Sequence, residues 1–120
     1  MILIGFIAGS GDKMFLQKNE YDYARSISRL LKMAEGVTSG GRVAAQVLLS
    51  TYNGENYHLD ATDLCILDHK DLEAAMMVLA QRVLTSKEPH TMDETFPDKF
   101  DQLEVTWHFL NIRERYGHKY

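Results

Sequence analysis

Residues 39–53 constrain the fold more than any other part of this chain. In the run SGGRVAAQVLLSTYN, Val43, Ala44, Ala45, Val47, Leu48, Leu49, Thr51 and Tyr52 cover most of a helical wheel, and only Arg42, Gln46 and Ser50 form a polar strip. A helix that is apolar nearly all round has to be buried, so this one belongs at the centre of its domain. Gly40-Gly41 precede it and Asn53-Gly54 end it. Asn-Gly is also a two-residue hairpin signal, which leaves VLLSTY-NG-ENYHL as a competing hairpin. The Ala-Ala-Gln-Val-Leu-Leu run shows no period-two alternation and is built of good helix formers, which favours the helix.

Three further helical patterns surround it. Over residues 19–35, Tyr23, Ile27, Leu30 and Ala34 recur at helical spacing, with Asn19 and Asp22 at the start and Gly36 as a stop. Over residues 68–86, Leu72, Met76, Leu79 and Val83 line one face, and Met77, Ala80 and Leu84 widen it. A last helix is predicted from between 95 and 98 to 117, with Pro97 in its first turn, where its missing N–H costs nothing. Phe100, Leu103, Trp107 and Leu110 form one of its faces; Val105, Phe109, Ile112 and Tyr116 form the other. The second face needs cover from the N-terminal arm, another helix or a partner chain. The expected architecture is a mainly α single domain of about four helices. Residues 1–18 form an arm or short strand before it, residues 19–117 the helical domain, and residues 118–120 a tail.

With 120 residues, the chain fits one domain with its own core, and its formal charge of −4 argues against a dedicated nucleic-acid or membrane-surface binder. Cys65 is the single cysteine, so no internal disulfide can form, and a reducing, cytoplasmic setting is the natural expectation. The opening run MILIGFIAGSGDKM lacks a basic region before it and is too short to cross a bilayer. Met14 offers a second reading of the start.

Candidate chemistry is sparse. Gly9, Ser10, Gly11, Asp12 and Lys13 look like the turn of a phosphate cradle, but Asp12 and Met14 break the P-loop pattern and a third dinucleotide-loop glycine is missing. An ordinary turn is the simpler reading. Asp60, Asp63, Asp68 and Asp71 do not follow a calcium-loop pattern and suit two helix starts, each first Asp capping and each second meeting the dipole. His58, Cys65 and His69 fall short of a structural zinc set, and Cys65 within Leu-Cys-Ile-Leu reads as an inert core thiol. The basic and aromatic residues from 113 to 120 could meet nucleic acid but equally suit a helix C-terminus. No metal and no cofactor is expected.

One segment carries a resemblance. Ser39-Gly40-Gly41-Arg42-Val43-Ala44, the Leu48-Leu49 pair before Tyr52-Asn53, Leu59-Asp60-x-Thr62-Asp63-Leu64 and Leu67-Asp68 resemble a bacterial domain family of unknown function, found in small proteins of proteobacterial mobile elements and phages. The match covers about residues 39–79. The family has an aromatic pair where Thr51-Tyr52 stand and often an aromatic where Cys65 stands. The resemblance implies a small helical domain in a mobile-element setting and assigns no activity.

The leading functional expectation is a non-enzymatic protein-binding accessory protein, encoded by a phage or mobile element. Its narrowest form is an inhibitor of a host defence complex of the CRISPR type. Partner-binding residues are expected in the turn after the central helix, at Tyr52, Asn53, Glu55, Tyr57 and His58, and on the last helix, at Phe109, Ile112 and Tyr116. The alternatives are a self-associating structural protein, a homodimer through the last helix, and a small nucleotide- or phosphate-binding protein using Gly9 to Lys13.

Overall fold

Three mutually packed helices carry the fold of the computed structural model, which describes residues 20–117. They are α1 (Glu20–Met33), α2 (Ser39–Tyr52) and α3 (His69–Thr85). A short 3-10 segment, Ala61–Ile66, links α2 to α3. After a second 3-10 turn at Pro89–Thr91 come α4 (Phe96–Thr106), a third turn at His108–Leu110 and the short α5 (Ile112–Tyr116). The expected arm, the Asn19 start, the turn from Gly9 to Lys13 and the tail lie outside the described residues. The mainly α architecture is as the periodicity predicts, and the hairpin alternative fails: α2 runs unbroken to Tyr52. Among the described residues the extended pairing is a single antiparallel bridge between Tyr57 and Asn111.

The central helix is central because its side chains leave it no other place. Every residue from Val43 to Leu49 is buried, including Gln46. Thr38 caps the helix, its hydroxyl accepting from the Gly41 N–H at 2.9 Å. Gly41 is required by the close approach of two chain segments. A Cβ there would stand 2.2 Å from the Gly36 carbonyl oxygen and 2.8 Å from that of Met33. Neither Gly36 nor Gly54 adopts a left-handed φ, so neither stops its helix in the expected way. The left-handed cap belongs to Ser86, at the end of α3, with φ 60°.

α1 runs antiparallel to α3. The Tyr23 hydroxyl donates to the Lys87 carbonyl at 2.8 Å near one end, and Arg29 pairs with Asp71 at 2.8 Å near the other. Tyr23, Ile27, Leu30 and Ala34 enter the core, as predicted, and Leu31 joins them. α3 presents a face rotated from the expected one. Ala74, Ala75, Met77 and Val78 are buried, and Leu72 and Leu79 pack half-buried against the core, while Met76, Val83 and Leu84 are exposed. Both faces are apolar, so periodicity could not choose between them. The small Ala74 and Ala75 let neighbouring helices approach, and Arg82, donating to the Thr51 carbonyl at 3.0 Å, helps fix the rotation.

The last predicted helix is two helices. α4 stops at Trp107, whose φ of −113° and ψ of 32° leave the helical region. The Val-Thr-Trp-His-Phe run has weak helix propensity, and the indole gains a better position by leaving. Its N–H donates to the Ala34 carbonyl at 2.8 Å in the buried interior, satisfying an acceptor just past the end of α1. Phe96, Phe100, Leu103, Trp107 and Leu110 fill the core. The second face, written on a continuous helix through Val105, Phe109, Ile112 and Tyr116, does not exist as one stripe.

Candidate partner-binding surface

The turn after α2 is built around Asn53. Its N–H closes the helix on the Leu49 carbonyl at 2.7 Å, and its own carbonyl accepts from the N–H groups of Asn56 and Tyr57, both at 3.1 Å. Asn53 therefore shapes the turn through its backbone. Glu55 and His58 project to solvent, whereas Tyr57 is turned inward and only 5% exposed, against the expectation that it faces outward. Burial pushes the Tyr57 phenol upward; the Asn111 side chain acts against this and the Glu104 carboxylate adds to it. Tyr52 is half-buried, its ring edge-on to His90 at 5.0 Å and tilted against Phe100 at 4.9 Å.

The two predicted groups, far apart in sequence, meet in space. The Ile112 N–H donates to the Asn56 carbonyl at 2.8 Å, beside the Tyr57–Asn111 bridge. Arg115 donates to the His58 carbonyl at 2.8 Å and pairs with the Asp60 carboxylate. Asn111 caps α5, its side chain accepting from the Arg113 N–H at 3.0 Å. This start was legible as Asn111-x-x-Glu114, a capping signature inside a region read as one helix. Phe109 sits beside it, its ring 5.4 Å from Trp107 and 5.8 Å from His108, and remains 43% exposed. His108 Nδ1 lies 3.0 Å from the Glu114 carboxylate. Ile112 and Tyr116 are half-buried, with the Arg115 guanidinium 5.1 Å from the Tyr116 ring centre. The result is one surface: exposed Glu55, His58, His108 and Phe109 over a frame of Arg115, Asp60, Asn56 and Asn111.

The polar strip of α2 underlies this surface, a role the sequence did not suggest. Gln46 is fully buried and uses both ends of its amide. Its Nε2 donates to Asp63 at 3.0 Å, and its Oε1 accepts from the Asp60 N–H at 3.0 Å. Arg42 donates to the same Asp63 carboxylate at 3.1 Å. Asp63 thus binds the 3-10 segment to the central helix. Asp60 does not cap that segment through its side chain, contrary to the first Asp-x-x-Asp reading. The second box behaves as expected. Asp68 accepts from the Asp71 N–H at 2.9 Å, and that bond holds its carboxyl below the usual range.

Cys65 is exposed, which overturns the core-thiol reading: the 3-10 segment buries none of its residues. Among the described residues, no three His, Cys, Asp or Glu side chains are placed to hold a metal ion, so His58, Cys65 and His69 do not converge on one. No described helix is long and apolar enough to cross a membrane.

A family model, that of a family of unknown function, matches residues 24–108. The match begins within the first turns of α1, covers α2, the turn after it, α3 and α4, and stops just before Phe109. No curated protein and no solved structure matches the chain.

Proposed function

We propose that this chain, which belongs to the DUF7673 family of unknown function, is a non-enzymatic protein-binding module that engages its partner through the joined surface of residues 53–60 and 107–116. The observation that carries this reading is Phe109. A large aromatic side chain stays 43% exposed beside Trp107 and His108, in a frame of arginine, histidine and carboxylate groups. Exposed aromatics within a braced polar rim are the residue types that dominate binding energy at protein interfaces. Arg115 spends its hydrogen bonds holding the loop at His58 and Asp60 in place, so the surface is ordered before any partner arrives.

The narrower form of the proposal is a phage or mobile-element accessory protein that inhibits a host defence complex of the CRISPR type by occupying its surface. The family resemblance of residues 39–79 and the net charge of −4 support it, since an acidic protein competes well for surfaces built to hold nucleic acid. The test is affinity capture with the full chain and with Phe109→Glu, side by side. A partner recovered in stoichiometric amount by the first and lost with the second is the expected result. Equal recovery by both, or no stoichiometric partner, overturns the reading. Light scattering separates a foreign partner from a second copy of this chain: a strict monomer at high concentration excludes self-association.

A further inference from the structure

α1 turns a row of cations away from the core. Arg25, Ser28, Arg29 and Lys32 follow one another at helical spacing on the face opposite Tyr23, Ile27 and Leu30. With Met33, and with Asp71 from the first turn of α3, they line an open groove of about 510 Å³, a volume usual for small-ligand sites. Three cations face one carboxylate there, in a chain whose net charge is −4. Cations on an exposed helix face are ordinary in themselves. These leave most of their hydrogen-bonding capacity unused.

Arg29 spends its Nε–H on Asp71, at 2.8 Å. That bond fixes the guanidinium, while its two terminal nitrogens meet no partner among the described residues. Arg25 lies 3.9 Å from Asp22, beyond hydrogen-bond range. Among the described residues Lys32 makes no ion pair and Ser28 no hydrogen bond. Ser50, Thr51 and Thr85, by contrast, return their hydroxyls to carbonyls of their own helices. From Arg25 to Lys32 the row is about 10 Å long at 1.5 Å per residue, more than a single phosphate spans. Guanidinium forks and an ammonium carry donors that fit phosphate oxygens and no acceptor to repel them. Asp22 and Asp71 beside the row, and Asp68 within the field of Arg29, oppose a singly charged anion and select a polyanion.

We propose that this groove binds a chain of two or more linked phosphates, free or carried by a nucleotide. Arg25, Arg29 and Lys32 hold the phosphate oxygens, and the Ser28 hydroxyl donates to one of them. The site shares no residue with the surface around Phe109.

Isothermal titration calorimetry of the full chain with sodium tripolyphosphate, at physiological ionic strength, tests it. Saturable one-to-one binding is expected, with orthophosphate about tenfold or more weaker. Lys32→Gln removes a side chain that makes no ion pair in the fold, so it should stay folded and bind about tenfold or more weakly. Arg29→Gln should lose as much. Lys99→Gln, a cation on α4, and Phe109→Glu should bind as the unmodified protein does. Adenosine triphosphate should displace tripolyphosphate. Tighter binding than tripolyphosphate assigns the ligand to a nucleotide, equal binding to the phosphate chain alone, and either result supports the site. No saturable binding, equal affinity for orthophosphate, or full affinity in both Lys32→Gln and Arg29→Gln overturns the proposal. Single-stranded DNA that binds the same residues more tightly than tripolyphosphate overturns it too, giving the groove to a nucleic-acid backbone.

Discussion

Gly40 and Gly41 are neighbours with opposite roles, and replacing each by alanine should move stability in opposite directions. At Gly40 a new Cβ meets only the Met33 methyl carbon at 3.7 Å, an ordinary contact. Gly40→Ala then reduces the freedom of the unfolded chain and should stabilise by about 0.4–1 kcal/mol. At Gly41 the new Cβ falls 2.2 Å from one backbone oxygen and 2.8 Å from another. Neither is the end of a flexible side chain, so the start of α2 has to withdraw by roughly 1 Å. Overpacking of this kind costs about 1–3 kcal/mol. The movement also strains the Thr38 cap at Gly41, worth about 1 kcal/mol. After crediting the alanine gain, Gly41→Ala should lose about 2–3 kcal/mol. In a domain of about a hundred residues that lowers Tm by roughly 10–20 °C, against a rise of a few degrees for Gly40→Ala. Thermal unfolding followed by circular dichroism, with urea titration for the free energies, reads both. Equal shifts for the two variants, or a Gly41→Ala protein as stable as the original, would refute the packing of α2 against the turn after α1.

Other consequences follow from single contacts. Trp107→Phe strands the Ala34 carbonyl and leaves a void where the second indole ring stood, so urea unfolding should show a loss of about 2–4 kcal/mol. Gln46→Leu leaves the Asp60 N–H and part of the Asp63 carboxylate without their buried partner, with a loss of about 1–3 kcal/mol in the same assay. Tyr23 gives a pH dependence. Burial raises its phenol to about 12, with Arg82 acting against this and Glu88 adding to it. The unfolded chain loses this proton near pH 10 while the folded chain keeps it. The stability is therefore intact below about pH 10 and lost as pH rises towards 12, by about 2 kcal/mol at most. Tyr23→Phe should flatten that alkaline slope; an unchanged slope would place the phenol in solvent. Finally, Cys65 should react with a thiol reagent in the folded protein at close to the rate of a free thiol, without prior unfolding.

Much of this fold could be read from residue pattern, because burial on a single face writes a period into sequence. α1 declared its core side through Tyr23, Ile27, Leu30 and Ala34, and α2 declared its central place by having almost no polar face. The reading failed where two faces compete. α3 is apolar on both sides, and the choice of Ala74, Ala75 and Val78 over Met76 and Val83 depends on how closely neighbouring helices can approach. The last helix failed for a related reason. Its two stripes fit a continuous helix, but an indole hydrogen bond to Ala34 outweighs a few weak helix formers at Trp107. The candidate surface was half legible. Glu55 and His58 were chosen as residues of the turn after the central helix, Phe109 as part of the second face of the last helix, and all three do lie outside. Tyr57 was chosen on the same grounds as Glu55 and lies inside, because its bridge to Asn111 spans more than fifty residues that no local pattern connects. Gln46, Asp63 and Arg115, which brace the surface, became visible only once chain segments were brought together.

The most direct test of the protein-binding account is site-specific photo-crosslinking in the full chain, in cells of the source organism. A photoreactive residue at position 109 should yield one dominant protein adduct, a residue at Glu55 should yield the same adduct, and a residue at Lys70, at the start of α3, should yield none of it. Adducts of equal strength from all three positions, or none from position 109, would contradict the claim that this surface receives a partner.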